Sequence, residues 1–177
     1  MKNGDTLNEE EQMKKHIAGL LVVGLMTAGT VREASAQEKS VNFSLNLGIQ
    51  TNLYKETSFD NAWFSLDFRA GIRLGRSFEI SPEVMAAVDD SLSFDAVWLY
   101  PGLMLNYAPG GFFIGIGAVL PVWLTAEESD TGNLAPKINI GFRSGRFTVT
   151  AYLFTWTESG TDFLDYNFVG ATLGYRF

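Results

Sequence analysis

The stretch that decides the fold is the last one, residues 166–177, YNFVGATLGYRF. Side chains on an extended chain alternate sides with period two. Val169, Ala171, Leu173, Tyr175 and Phe177 therefore share one side, and Phe168, Gly170, Thr172, Gly174 and Arg176 share the other. The first side is continuously apolar and ends on two aromatics; the second is small, mixed and finishes with a charge. One such strand is also common in water-soluble proteins, so the decision rests on whether the rest of the chain follows the same pattern.

It does. From Val41 to Leu53 every odd residue except Thr51 is apolar, and the even positions are Asn42, Ser44, Asn46, Gly48, Gln50 and Asn52. A strict alternation of this length marks a strand between two different environments. The pattern resumes with Ala62, Phe64, Leu66, Phe68, Ala70, Ile72 and Leu74, turns at Gly75-Arg76-Ser77, and continues with Phe78, Ile80, Val84, Ala86 and Val88. Val97 to Tyr107, Phe112 to Leu124, Ile138 to Phe142 and Phe147 to Leu153 complete a set of eight with the closing strand, the sixth being the shortest. Connections alternate long and short, the long ones lying near 55–61, 89–95, 125–134 and 158–162. A strand tilted at about 40° climbs roughly 2.6 Å per residue, so an apolar band of ~25 Å takes about ten residues. The expected fold is all-β: an eight-stranded antiparallel up-and-down transmembrane β-barrel with long loops at one end and short turns at the other.

A soluble lipocalin-type barrel shows the same alternation turned inside out. A water-facing surface would be rich in Lys and Glu. Here the second face carries Gly48, Gly71, Gly102, Gly115, Gly117, Gly141 and Gly170 among Ser, Asn, Trp and Tyr. Small residues beside large rings suit a crowded lumen, which leaves the apolar face for lipid. Pro82, Pro101, Pro121 and Pro136 fit less well, because a closed wall has no free edge for a missing N–H. Bulges or strand ends are expected there.

The N-terminal part has a different grammar. Residues 13–36, MKKHIAGLLVVGLMTAGTVREASA, place two lysines before a short apolar stretch and end in Ala34-Ser35-Ala36. This is the layout of a cleaved secretory signal peptide, with processing between Ala36 and Gln37. The apolar run is shorter than the roughly 20 residues of a spanning helix. Residues 1–12 read as an unstructured upstream extension, and residues 37–177 as the barrel domain.

With a terminal Phe, an exported start and alternating loops in place, the chain resembles small eight-stranded bacterial outer-membrane β-barrels of the OmpA/OmpX-like kind. The closing strand of such barrels typically ends in an aromatic, most often Phe; Tyr175 and Phe177 stand in that position as an assembly signal. The resemblance covers nearly everything after Gln37 and rests on pattern and terminal signature. It implies residence in the bacterial outer membrane and roles in envelope integrity, surface adhesion or shielding. It also implies contact with outer-membrane lipid and lipopolysaccharide, and handling by periplasmic chaperones and the barrel assembly machinery. A monomer without cofactor is expected. The peptidoglycan-binding domain of longer OmpA-type proteins is not expected in a chain that stops at Phe177.

Inward-facing charges are Asp67, Arg69, Arg73, Glu79, Glu83, Lys137, Arg143 and Arg176. If Leu74 pairs with Phe78 across the turn, Arg73 faces Glu79 and Arg69 faces Glu83, and opposite charges can pair across adjacent strands. These are expected to plug the lumen rather than conduct. Toward the loop end the inward face turns aromatic with Trp63, Trp98, Tyr100, Trp123, Tyr152, Phe154, Trp156, Tyr166 and Phe168. They supply packing and an interfacial girdle, or a shallow apolar pocket for a lipid tail or small hydrophobe. The loops are acidic, with Glu56, Asp60, Asp89, Asp90, Asp95, Glu127, Glu128, Asp130, Glu158, Asp162 and Asp165 at or near the rim. Such carboxylates can share divalent cations with lipopolysaccharide phosphates, although a solvated rim also explains them.

Much chemistry is excluded. There is no cysteine, hence no disulfide or thiolate metal site. The one histidine, His16, lies in the expected signal segment, so the barrel cannot build a Ser-His-Asp or Asp-His arrangement. The net charge of −7 opposes nucleic-acid binding. A non-enzymatic role is expected.

Overall fold

A computed structural model describes residues 41–53, 62–89, 96–125, 128–156 and 166–177. The upstream extension, the expected signal peptide and most of the acidic loop residues lie outside the described residues. Regular structure among the described residues is entirely strand: β1 (Val41–Asn52), β2 (Ala62–Leu74), β3 (Phe78–Val88), β4 (Ala96–Tyr107), β5 (Phe112–Val119), β6 (Val122–Thr125), β7 (Ser129–Thr131), β8 (Ala135–Ser144), β9 (Phe147–Trp156) and β10 (Tyr166–Arg176).

Antiparallel ladders join β1 to β2, β2 to β3, β3 to β4, β4 to β5, β5 to β8, β8 to β9, β9 to β10, and β10 back to β1. The wall is a closed ring of eight staves, with β6 extending β5 upward and β7 extending β8. Closure leaves no row of unpaired backbone groups facing hydrocarbon, the condition a sheet must meet to cross a bilayer.

The stagger of the ring can be read from one path of paired residues. Val41 pairs with Ile72, then in turn come Ile80, Leu105, Ile116, Ile138, Leu153 and Val169, and the path re-enters β1 at Thr51, ten residues from where it began. Eight strands with a shear of ten give a strand tilt of about 40° and a wall radius of roughly 8 Å. Every residue on that path before Thr51 is aliphatic and belongs to the outward set.

Outward-facing side chains include Leu47, Ile49, Phe64, Leu103, Ile116, Ile138, Val149 and Leu173, all exposed, with Leu47 at 65%. An apolar surface that encircles a molecule is a lipid-facing surface, far beyond the isolated patches of a soluble monomer. At the turn end this band becomes aromatic. Phe78 lies 5.3 Å from Tyr107, Phe147 lies 5.8 Å from Tyr175, and Tyr175 lies 5.5 Å from Phe177. Arg146 donates to the Tyr175 hydroxyl at 2.8 Å, so the ring carries a polar tip where the band meets water.

The short turns follow their residues. Gly145 opens the two-residue Gly145-Arg146 connection at φ 57°, the left-handed geometry that the first central residue of a tight hairpin turn needs. The prolines behave unequally. Strands run unbroken through Pro82, Pro101 and Pro136, although the β2–β3 ladder lacks rungs at Ala70, opposite Pro82, and Gly71, opposite Ser81. The register on either side of that gap is the same, so no residue is inserted. Only at Leu120-Pro121 does a strand end. There the step from Val119 to Val122 is matched by the longer step from Ala135 back to Thr131, and one extra residue is accommodated as a bulge. The sixth stave, expected to be the shortest, is a full ten residues in β8; β5 is shorter because Pro121 cuts it.

Candidate functional site

The candidate site is the lumen, because every inward side chain converges there and its filling determines what can pass or bind. Two layers occupy it. The layer nearer the turns is charged. The ladder pairs Arg69 with Glu83 and Arg73 with Glu79, the facing expected from the turn. Arg69 Nη2 lies 2.7 Å from Asp67 Oδ2. Its Nε lies 3.1 Å from Glu83 Oε2, close enough for an ion pair but outside good hydrogen-bond alignment. The other Glu83 oxygen accepts from Lys137 Nζ at 2.5 Å. All four side chains are nearly sealed from solvent, and their charges sum to zero.

The Glu79 carboxylate is held by Arg143 and not by Arg73. Arg143 donates through both terminal nitrogens, at 2.9 and 2.6 Å, in a two-pronged geometry that fits the guanidinium fork to a carboxylate. Its guanidinium also stacks over the Phe113 ring at 4.5 Å. Ser81 donates to the same carboxylate at 2.9 Å, and Asn106 donates to Ser81 at 2.9 Å. Arg73 remains exposed at the mouth. Both crossbars, Lys137–Glu83 and Arg143–Glu79, join β8 to β3, staves that are not neighbours in the wall.

The layer toward the loops is built from rings. Tyr100 and Phe154 have no exposed surface, and Tyr152 and Phe168 are buried with them. Phe154 is the hub: its ring centre lies 5.0 Å from those of both Tyr100 and Phe168, and Tyr152 stacks on it at 6.2 Å. The phenols have partners, Tyr152 donating to Gln50 Oε1 at 3.0 Å and Gln50 donating to Tyr100 at 3.4 Å. Above these, Trp98 sits 4.5 Å from Trp123 and 6.1 Å from Trp63, all three half-buried. Trp156 and Tyr166 pair in register at the top of β9 and β10. Between the layers Lys137 Nζ lies 4.7 Å from the Tyr152 ring centre, a cation–π contact that joins one filling to the other.

Glycines make room for these rings. A Cβ at Gly170 would enter the Tyr152 ring, and one at Gly141 would enter the Phe113 ring. Tyr175 and Phe177, by contrast, stand on the lipid side. Phe177 is 70% exposed, and its N–H donates to the Phe43 carbonyl at 2.9 Å, which fastens the last residue to the first strand. At the opposite side of the charged layer a cavity of about 120 Å³ opens at the turn end, lined by Arg73, Arg76, Glu79, Arg143 and Arg176 with the neighbouring turns. Arg73, Arg143 and Arg176 stand among the inward-facing charges read from the sequence, which gives no sign of a cavity.

A closed staggered wall, an apolar exterior and a filled lumen define an integral β-barrel membrane protein of the outer-membrane type. Among solved structures, the chain is similar to neisserial surface protein A, at 11% identity and a TM-score of 0.47 over 77% of this chain and 94% of that one. It is also similar to Ail, the attachment invasion locus protein of Yersinia pestis. In complex with the heparin analogue sucrose octasulfate, Ail aligns at 13% identity and TM-score 0.47 over 80% of this chain and 100% of its own. In a phospholipid bilayer nanodisc, Ail aligns at 13% identity and TM-score 0.48 over 78% and 100%. No family model and no curated protein sequence matches the chain.

Proposed function

We propose that the protein is a non-conducting barrel of the bacterial outer membrane with a structural or surface-interaction role, in envelope integrity or adhesion. The observation that supports this is the interlocked lumen. Two ion-pair crossbars and a buried ring cluster fill the middle of the lumen, which favours a role at the protein's surface over one in conduction. In this reading the loop end faces outward toward lipopolysaccharide and the turn end faces the periplasm. The chain arrives through a signal peptide cleaved after Ala36, aided by periplasmic chaperones, and acts as a monomer. No catalytic step belongs to this reading, since no histidine follows residue 36.

Planar-bilayer recording tests the lumen: purified protein is expected to give no porin-sized steps, and sustained conductance would favour a narrow channel instead. Cells lacking the protein are expected to lose detergent resistance or surface attachment; unchanged behaviour in both assays would overturn the role.

The half-buried Trp63, Trp98 and Trp123 support a second reading, capture of a lipid tail or small hydrophobe at the loop end. A co-purifying hydrophobe that disappears in Trp98→Ala and Trp156→Ala proteins would establish it; ligand-free protein after membrane extraction would count against it. The Tyr175/Phe177 end is proposed as the signal read by the assembly machinery. Deleting Phe177 is expected to lower outer-membrane levels while barely changing the unfolding midpoint of refolded barrel, because one hydrogen bond and a mostly exposed ring are lost. Unchanged membrane levels would refute the signal.

A further inference from the structure

The cavity at the turn end lies at the edge of the charged layer, sharing Arg143 and Glu79 with it, and its charge is unbalanced. Arg73, Arg76, Arg143 and Arg176 line it, and among its lining residues the only carboxylate is Glu79. Both oxygens of Glu79 are already engaged by Arg143 and one also by Ser81. Three guanidinium charges therefore face the cavity without a second side-chain anion among its lining residues. Arg176 uses one nitrogen to donate to the Gly145 carbonyl at 2.8 Å, which fixes its direction and leaves further donors on the same plane. This concentration occurs in a protein whose net charge is −7, so it is not the overflow of a basic composition.

We infer that this mouth is a phosphate-group site. Arginine recognises phosphate through paired, planar N–H donors, and several guanidinium groups around one small volume suit a tetrahedral dianion or a phosphodiester better than a planar carboxylate. A volume of about 120 Å³ holds a group of that size with some of its water. Two sources share the chemistry. Phe78 lines the cavity and also stands in the lipid-facing aromatic band, so the site reaches the rim of the wall and can take the headgroup of an anionic phospholipid. It is equally open to free phosphate from the aqueous side. The site is separate from the long loops and shares only Arg143 and Glu79 with the lumen plug, and it stands whether or not the surface-interaction role does.

The test uses full-length refolded barrel in maltoside micelles, with unboiled gel mobility as the check that each variant is folded. Titrated inorganic phosphate is expected to bind saturably and to shift arginine Nε–Hε resonances. Arg73→Gln/Arg76→Gln is expected to weaken binding by about tenfold or more. Arg146→Gln, which removes an equal kind of charge from the same end but outside the cavity, is expected to change it by less than about twofold. In nanodiscs mixing phosphatidylglycerol and phosphatidylcholine, one retained phosphatidylglycerol by native mass spectrometry identifies the headgroup as the source; phosphate binding without lipid retention identifies the soluble ion. If the double variant does not fold, Arg176→Gln takes its place with the same expectation. Absence of both saturable phosphate binding and phosphatidylglycerol retention overturns the site. So does full binding by the cavity variants, or an equal loss in Arg146→Gln.

Discussion

The two halves of the lumen are filled by opposite means inside one wall. In the inner layer near the turns, three acids, Asp67, Glu79 and Glu83, meet three bases, Arg69, Lys137 and Arg143; near the loops, rings are stacked on one another. The staves, their tilt and their small inward residues continue through both. The difference teaches that a barrel of this width accepts any filling that satisfies its polar atoms and its volume, but that the two fillings tolerate damage differently. A ring layer loses contact area in proportion to what is removed. A charge layer is sensitive to parity: removing one member leaves another uncompensated where water cannot reach it.

Lys137→Met breaks the parity and should have the largest effect. It leaves Glu83 sharing Arg69 with Asp67 in a sealed layer, at a cost of about 4 kcal/mol. Adding Glu83→Gln should recover part of that loss; urea unfolding in detergent measures both, and a double variant no better than the single would refute the parity argument. Phe154→Ala removes the hub of the ring layer and should cost about 3 kcal/mol through the cavity left among Tyr100, Tyr152 and Phe168. Its partial replacement, Phe154→Leu, should fall in between, and a graded series is the signature that separates this layer from the charged one. Gly141→Val forces a side chain toward Phe113 and should cost about 2 kcal/mol, read from the same midpoint. Arg143→Lys keeps the charge but loses one prong of the grip on Glu79, and should cost only about 1 kcal/mol.

The wall was open to reading from residue order because a strand's environment repeats every second residue. Leu45, Leu47 and Ile49 could only go one way once Asn46 and Gln50 went the other. Local pairings were equally open: the Gly75-Arg76-Ser77 turn sets Arg69 opposite Glu83 within one hairpin. Contacts across the lumen were not. Lys137 and Glu83 are 54 positions apart on non-adjacent staves, and their meeting depends on the shear of the whole ring, which no short stretch encodes. Arg143 displaced Arg73 at Glu79 for the same reason, since it arrives from the far wall with Phe113 beneath it. The bulge at Pro121 was foreseeable as a break, whereas its continuation as β6 and β7 required knowing which partner waits on either side.

The ladder between β1 and β10 has a consequence for how the protein comes into being. Ser44 pairs with Arg176, so the ring cannot close until β10 has been made and has met β1. Contacts between chain ends are the slowest to form, since the entropy of closing so large a loop is lost before any ladder energy is gained. During that interval two unpaired sheet edges and an entire apolar face are available to any neighbouring chain. The order of synthesis thus makes the first strand wait for the last, and survival of the unfinished chain becomes a race between closure and aggregation.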